Sequence, residues 1–426
     1  MTDDVLDRPT LDGFDPLSPE FRADPYPMLE RARRECPVLY YEPLDFWALT
    51  RYEDVAGIIG DFKTFSSRAF GTVPVPEELA DRVPSDFFSK ALLASDPPGH
   101  TLLRKHGQKA LTRGRIAAME PTIEAICHEL IDEFIADGGC DIMTRYANEV
   151  TVRTIVRMLG LPLEDTERLR GWARDVVAVI TPRALAREDG APAPVKHMSE
   201  EERLERYGRI ADARDYFRAM IAARAAEPRD DLISALVAVK DEHGEPALDR
   251  ERIVSHLSEL LTAGTSTTAN LIGQMLRLFD RFPEQRDAVQ RDPELMVNAV
   301  EEGLRHSGST LGVFRVTTRD VEIGGVQIPS GALVWACYAS TGRDADRFAD
   351  PDTFDVSRED ASEHLEFGIG RHFCMGAPLG RLESRLALQI LYERIPGLRV
   401  VEGQKLDYVP SIVTTSLREL RVAWAT

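Results

Sequence analysis

Cysteine is scarce in this chain, and the few present do not pair. Cys36, Cys127, Cys140, Cys337 and Cys374 are odd in number, scattered, and nowhere spaced as Cys-x-x-Cys. That disfavours a disulfide framework and a structural zinc site, and a reducing compartment fits best. Positive charge is also short: 52 Lys and Arg against 71 Asp and Glu leave a formal net charge of −19. A general nucleic-acid binder needs surplus cations for its phosphate contacts, so that class is set aside. No apolar run approaches the ~20 residues of a membrane span, and residues 176–180 fall far short. The first residues, Met1-Thr2-Asp3-Asp4, carry neither the basic nor the apolar segment of a secretory signal. The expectation is a cytoplasmic protein, with no membrane and no nucleic acid among its partners.

What remains is an ordinary globular composition, 43% hydrophobic and 29% charged over 426 residues, enough for a large core. No repeat and no long low-complexity linker divides the sequence, so one domain over residues 1–426 is expected. Val38-Leu39-Tyr40-Tyr41 and Phe46-Trp47-Ala48-Leu49-Thr50 are rich in strand formers and predict a hairpin. From Arg115 to about Leu236 apolar residues recur at helical spacing. Ala191-Pro192-Ala193-Pro194 and Glu200-Glu201-Glu202 are expected to interrupt two helices there. The longest helical pattern covers residues 249–282 and ends at Pro283, which makes it about 50 Å long. Its centre, Ala263-Gly264-Thr265-Ser266-Thr267-Thr268, is small and hydroxylic, a choice that helix propensity alone does not favour. Strand signals return in residues 313–317, 321–323 and 326–328, with Gly324-Gly325 as a hairpin turn. A final helix is predicted over residues 376–394. The fold class is therefore mainly α, with a small β portion at each end of the chain.

The sharpest segment is Phe367-Gly368-Ile369-Gly370-Arg371-His372-Phe373-Cys374-Met375-Gly376. Its glycines let the backbone approach a flat object closely or take conformations closed to other residues. A Cys at the mouth of the following helix gains thiolate character from the helix N-terminus. A sulfur anion held there can ligate iron and push electron density onto bound oxygen. For an isolated Cys, a buried structural role would be the better reading. A hydrolase nucleophile is the second rival, but no His–Asn/Asp partner pattern supports it.

This segment resembles the cysteine-ligand loop of the cytochrome P450 family, Phe-Gly-x-Gly-x-His-x-Cys-x-Gly, with Phe367, Gly368, Gly370, His372, Cys374 and Gly376 at its fixed positions. The continuation Leu379-Gly380-Arg381-Leu382-Glu383 is also similar, with Gly380 where Ala is usual. Glu302-Gly303-Leu304-Arg305 resembles the family's Glu-x-x-Arg pair, with Arg358 as its downstream partner and Glu301 competing for the assignment. The centre of the long helix resembles Ala/Gly-Gly-x-Asp/Glu-Thr-Thr, but Ser266 stands in place of the acid.

The resemblance implies the P450 fold, haem b (iron protoporphyrin IX) bound through Cys374, and insertion of one oxygen atom from O₂ into an organic substrate. It implies that Gly264 opens the helix to haem and substrate and that the Thr267 hydroxyl relays protons during oxygen activation. Ser266 leaves the usual proton route in doubt, whereas Thr265 reads as a hydroxyl satisfying the previous turn. His100 and Arg104, in Asp96-Pro97-Pro98-Gly99-His100-Thr101-Leu102-Leu103-Arg104, together with Arg315 and His372, match the usual propionate partners. His128, His256 and His306 read as ordinary helix residues.

Electrons would come from NAD(P)H through a reductase and an acidic ferredoxin. The ferredoxin would dock on Arg104, Lys105, Lys109, Arg113, Arg115, Arg371 and Arg381. The pocket is expected from residues 70–88, the helices flanking Ala191, Ala263, and the wall Thr310, Leu311 and Val313. That selection favours a small to medium hydrophobic substrate, aromatic ones included, for hydroxylation or oxidative demethylation. A peroxide-driven oxidase and a non-catalytic haem sensor are the alternatives.

Overall fold

The long helix predicted at the centre of the sequence is the axis of the structure. In the computed structural model, which describes residues 8–182 and 198–425, it runs Arg250–Arg281. Asp249 caps it by accepting the amide of Arg252 at 2.8 Å, and Pro283 opens the next helix. Its first half packs with Asn148–Leu159, Thr166–Val179 and Glu200–Ala226 in one apolar cluster. Its second half packs with Glu120–Asp132, Leu295–Ser307 and Ala377–Arg394 in another. One helix thus spans two cores, and its small central residues lie at the joint. There the Thr151 hydroxyl donates to the carbonyl of Thr265 at 2.7 Å, binding the two helices where they cross.

The β portions form where the sequence places them, and the N-terminal hairpin and strands of the later portion join one five-stranded sheet. Its order is Val38–Tyr41, Phe46–Leu49, Leu333–Ala336, Val313–Thr317, Phe65–Ser66. Phe46 pairs in parallel with Leu333 and Val316 antiparallel with the same residue, so the pairing joins chain segments far apart in sequence. The hairpin Val321–Ile323/Val326–Ile328 forms as predicted, with Gly324 and Gly325 at φ 59° and 80°, the left-handed region its turn requires.

Two helix readings need correction or fall outside view. Glu200-Glu201-Glu202 does not interrupt a helix. It forms the first turn of the 27-residue helix Glu200–Ala226, capped by Ser199, where acidic side chains complement the helix dipole. The Ala191-Pro192-Ala193-Pro194 segment lies outside the described residues. No helix among the described residues is long and apolar enough to cross a membrane.

The Glu301/Glu302 ambiguity resolves by geometry. Glu302 and Arg305 are fully buried and pair at 2.6 Å, and Arg305 also donates to the carbonyls of Gly342, Pro351 and Thr353. Arg358 reaches Glu302 at 3.3 Å, and the Asp355 amide donates to the same oxygen at 3.0 Å. Glu301 turns the other way, to Arg381 and His364. The pair therefore bolts the helix Leu295–Ser307 to the irregular segment that precedes the cysteine loop.

Candidate functional site

The cysteine loop takes its shape from two glycines. Gly368 and Gly370 sit at φ 65° and 67°, where a side chain would strain the backbone, and the Cys374 amide closes the loop on the carbonyl of Phe367 at 2.8 Å. Cys374 thereby stands just before the helix Ala377–Arg394. Cys374 is exposed on the cavity side, yet desolvation by the protein around it pushes its thiol above the ordinary value, against the amide N–H groups of Gly376 and Ala377 and the cations Arg104 and Arg381. The helix terminus alone therefore does not make Cys374 a thiolate. The groups that oppose burial are nevertheless those that steady a sulfur anion once a metal cation displaces its proton.

Cys374 opens into a cavity of about 180 Å³. Thr267, Thr268, Leu93, Thr310 and Val313 line it, together with Arg315 and His372. Of the anticipated pocket wall, Leu311 has turned into the apolar cluster beside Phe314 and Trp335. Nothing from residues 70–88 lines this cavity. Phe70 stacks edge-on against Phe314, Phe87 packs in the cluster around Phe217, and Leu93 occupies the roof.

One edge of the cavity gathers cationic and donor groups with few acceptors to meet them. Arg315 is 3% exposed and donates to its neighbour's carbonyl, Phe314, at 2.8 Å, and no carboxylate among the described residues forms a salt bridge with it. Burial lowers its guanidinium from the ordinary value. His100 is 1% exposed, and neither ring nitrogen has a hydrogen-bond partner. His372 faces the Ser67 hydroxyl at 2.9 Å and is pushed down to about 3 by burial and then by Arg315 and His100. A buried guanidinium beside the partnerless imidazole of His100 is costly unless an anion completes the set. Arg315, His100 and His372 therefore fit the acidic arms of a flat group lying over Cys374.

Other expected residues sit elsewhere. Arg104 reaches the carbonyl of Phe373, so it steadies the residue before Cys374, and its charge acts on both His100 and His372. Gly264 does not open the helix to this cavity: a Cβ there would come 3.1 Å from Ile155, so the glycine admits the neighbouring helix. Ser266 is half-buried and outside the lining. The Thr267 hydroxyl donates to the carbonyl of Ala263, four residues back, at 2.7 Å, and Thr265 donates to that of Thr262, three residues back, at 3.2 Å. Its lone pairs stay open to the cavity while its proton is committed to the helix.

The basic set is thinner than its residue list. Arg381 is spent on Glu301 and Arg115 on Asp230, whereas Lys105, Arg113 and Arg371 are exposed, and the Lys109 side chain lies outside the described residues.

Sequence reading missed Glu366. This carboxyl lines the cavity, accepts the Thr310 amide, and is pushed up to about 8 by burial. Gly308 makes room for it, since a Cβ there would lie 2.2 Å from the Glu366 carboxyl carbon. The available signal was an acid between the apolar Leu365 and Phe367, immediately before the loop motif.

Comparison with known proteins defines the class. The sequence matches the cytochrome P450 family over residues 49–394, and the chain belongs to that family. It is 34% identical over 412 residues, 96% of each chain, to the vitamin D(3) 25-hydroxylase of Pseudonocardia autotrophica. It is 33% identical over 388 residues to the 6-deoxyerythronolide B hydroxylase of Saccharopolyspora erythraea, covering 89% of this chain and 91% of that one. Its fold is similar to the solved structure of cytochrome P450 CREJ in complex with (4-ethylphenyl) dihydrogen phosphate, with a TM-score of 0.85 and 30% identity, covering 97% and 99% of the two chains. The protein is a P450-class monooxygenase, an oxidoreductase of a haem-iron family.

Proposed function

We propose that Cys374 is the protein's ligand to haem iron and that this chain hydroxylates or oxidatively demethylates a small to medium hydrophobic substrate. What supports the reading above all is that Cys374, Thr267, Arg315 and His372 line one cavity. When bound, haem iron supplies reductive activation of O₂: one oxygen atom enters the substrate, the other leaves as water, and two electrons and two protons are consumed.

The chain's own residues do the rest. Gly376 and Ala377 amides hold the sulfur, and Arg104 fixes the backbone before it. Arg315 and His100 bind the haem's carboxylates, with His372 beside them. Leu93, Leu271 and Val313 make part of the wall apolar and exclude water from the reacting carbon. Thr267 offers its Oγ1 lone pairs as acceptors and, on releasing its bond to Ala263, passes a proton on without becoming charged. Electrons arrive from NAD(P)H through a reductase and a ferredoxin that meets the exposed Lys105, Arg113 and Arg371. The same reading puts the enzyme's work in the cytoplasm.

A screen of candidate ligands for the type I spectral shift tests the substrate class. Small to medium hydrophobic compounds, aromatic ones included, should produce it, and a library that shifts only with highly charged molecules would contradict the reading. A peroxide-driven variant of the reaction is favoured by one observation, the hydroxyl of Ser266 where an acid would gate protons. Turnover with peroxide but never with ferredoxin and reductase would establish that variant.

A further inference from the structure

The roof of the cavity is tied to the central helix by a carboxylate that no step above uses. Glu259 lies two turns before Ser266 on the same face of Arg250–Arg281. Its two oxygens accept the consecutive amides of Leu92 and Leu93 at 2.8 and 2.7 Å. Nδ1 of His256 stands 3.1 Å from Oε2, and since an ionised carboxylate only accepts, that nitrogen carries the proton. His256 is 1% exposed, and its other nitrogen packs against Gly107, where a Cβ would come within 3.0 Å. One turn earlier on the helix, the Ser255 hydroxyl donates to the carbonyl of Phe87 at 2.7 Å.

The segment carrying Phe87 to Leu93 is thus anchored at both ends to one helix face. Leu93 is the residue of that segment that lines the cavity, yet its side chain is 43% exposed. Packing does not hold it, so its place depends on its backbone. The two charge-assisted bonds to Glu259 are the strongest backbone contacts there, and removing their acceptor leaves two amides to find new partners.

We propose that Glu259 is a positioning residue. Its carboxylate holds the Leu92 and Leu93 amides so that Leu93 stands over the cavity and limits the size of ligand accepted beside Thr267. The proposal rests on the haem-thiolate reading of the cavity.

The test uses the purified holoprotein with imidazole and 4-phenylimidazole as iron-binding probes, and amide hydrogen exchange at Leu92 and Leu93. In the parent protein both amides exchange slowly. Glu259→Leu is expected to speed their exchange about tenfold or more and to weaken 4-phenylimidazole by about tenfold. Imidazole, too small to reach the roof, keeps its affinity. Glu259→Gln falls between, because its single carbonyl oxygen retains one amide. The proposal is overturned if Glu259→Leu keeps both amides slow, or if both probes shift alike. Should Glu259→Leu fail to hold haem, the parent and Glu259→Gln decide, and fast exchange at both amides in the parent overturns the proposal. Failure of the haem reading shows separately, as a parent protein that binds neither probe at iron while its amide exchange is still measurable.

Discussion

The imidazoles of His100 and His372 lie 4.2 Å apart, ring centre to ring centre. Burial lowers both; Arg104 and Arg371 lower both further, Arg315 lowers His372 as well, and Asp96 and Glu259 oppose the shift at His100 without reversing it. With Arg315 buried beside them, cations outnumber anions at this edge, where Asp96 and Glu259 offset them only in part.

Arg315→Leu is therefore expected to loosen the haem, because the loss of a charge-assisted contact to a carboxylate costs about tenfold to a hundredfold in affinity. The rate of haem transfer to apomyoglobin measures it. His100→Phe, which keeps the ring packing against His372, should accelerate transfer less. Equal retention in Arg315→Leu and parent would remove Arg315 from the haem site.

Thr267→Ala should separate electron consumption from product. NAD(P)H oxidation is expected to continue while product per NAD(P)H falls on the order of tenfold. The back-bond to Ala263 means the substitution also frees a carbonyl in the central helix, so Thr267→Ser, which keeps the hydroxyl, is expected to restore most of the coupling. Full coupling in Thr267→Ala would instead favour the sensor or another route for protons.

Much of the scaffold was legible because its signals are local. The caps of the central helix, the Gly324-Gly325 turn and the last helix each depend on residues adjacent in sequence, and each fell within a residue or two of its predicted place. What stayed hidden depends on distant pairing. Strands Gly139–Asp141, Arg399–Val400 and Arg421–Ala423 form one sheet, but at two or three residues each they are too short to show alternation. Residues of the site divide the same way. Cys374 sits in a contiguous motif, whereas the choice between Glu301 and Glu302 and the aim of Arg104 were set by partners dozens of residues away. Gly264 showed a need for closeness, and only the fold identifies Ile155 as the close neighbour.

Arg305→Leu is expected to destabilise the protein by about 3–5 kcal/mol, because it leaves Glu302 charged and buried with one remaining ion-pair partner, Arg358, and strips donors from three carbonyls. Arg305→Lys should recover little, since one ammonium cannot replace a bidentate fork. Denaturant unfolding followed by circular dichroism measures both. A near-parental midpoint for Arg305→Leu would show that the pair is not structural.

Glu301 makes acid stability predictable. Burial alone would raise its carboxyl, but the hydrogen bonds from Arg381 and the close approach of His364 at 3.3 Å outweigh it and hold it at about 2, below the ordinary 4.5. A depressed carboxylate contributes stability above its unfolded pKa and loses it as pH falls toward the folded value, here between about 4.5 and 2. That difference is worth on the order of 3 kcal/mol. Glu301→Gln should be less stable at neutral pH and flatter through that window in urea titrations. A parallel slope in both proteins would contradict the assignment.

The most direct measurement concerns Cys374. The purified protein, supplied with haem, reduced and exposed to carbon monoxide, should show the red-shifted Soret band of a thiolate-ligated complex, and Cys374→Ser should lose it. A parent protein that never shows that band, or a Cys374→Ser protein that keeps it, would contradict the account at its root.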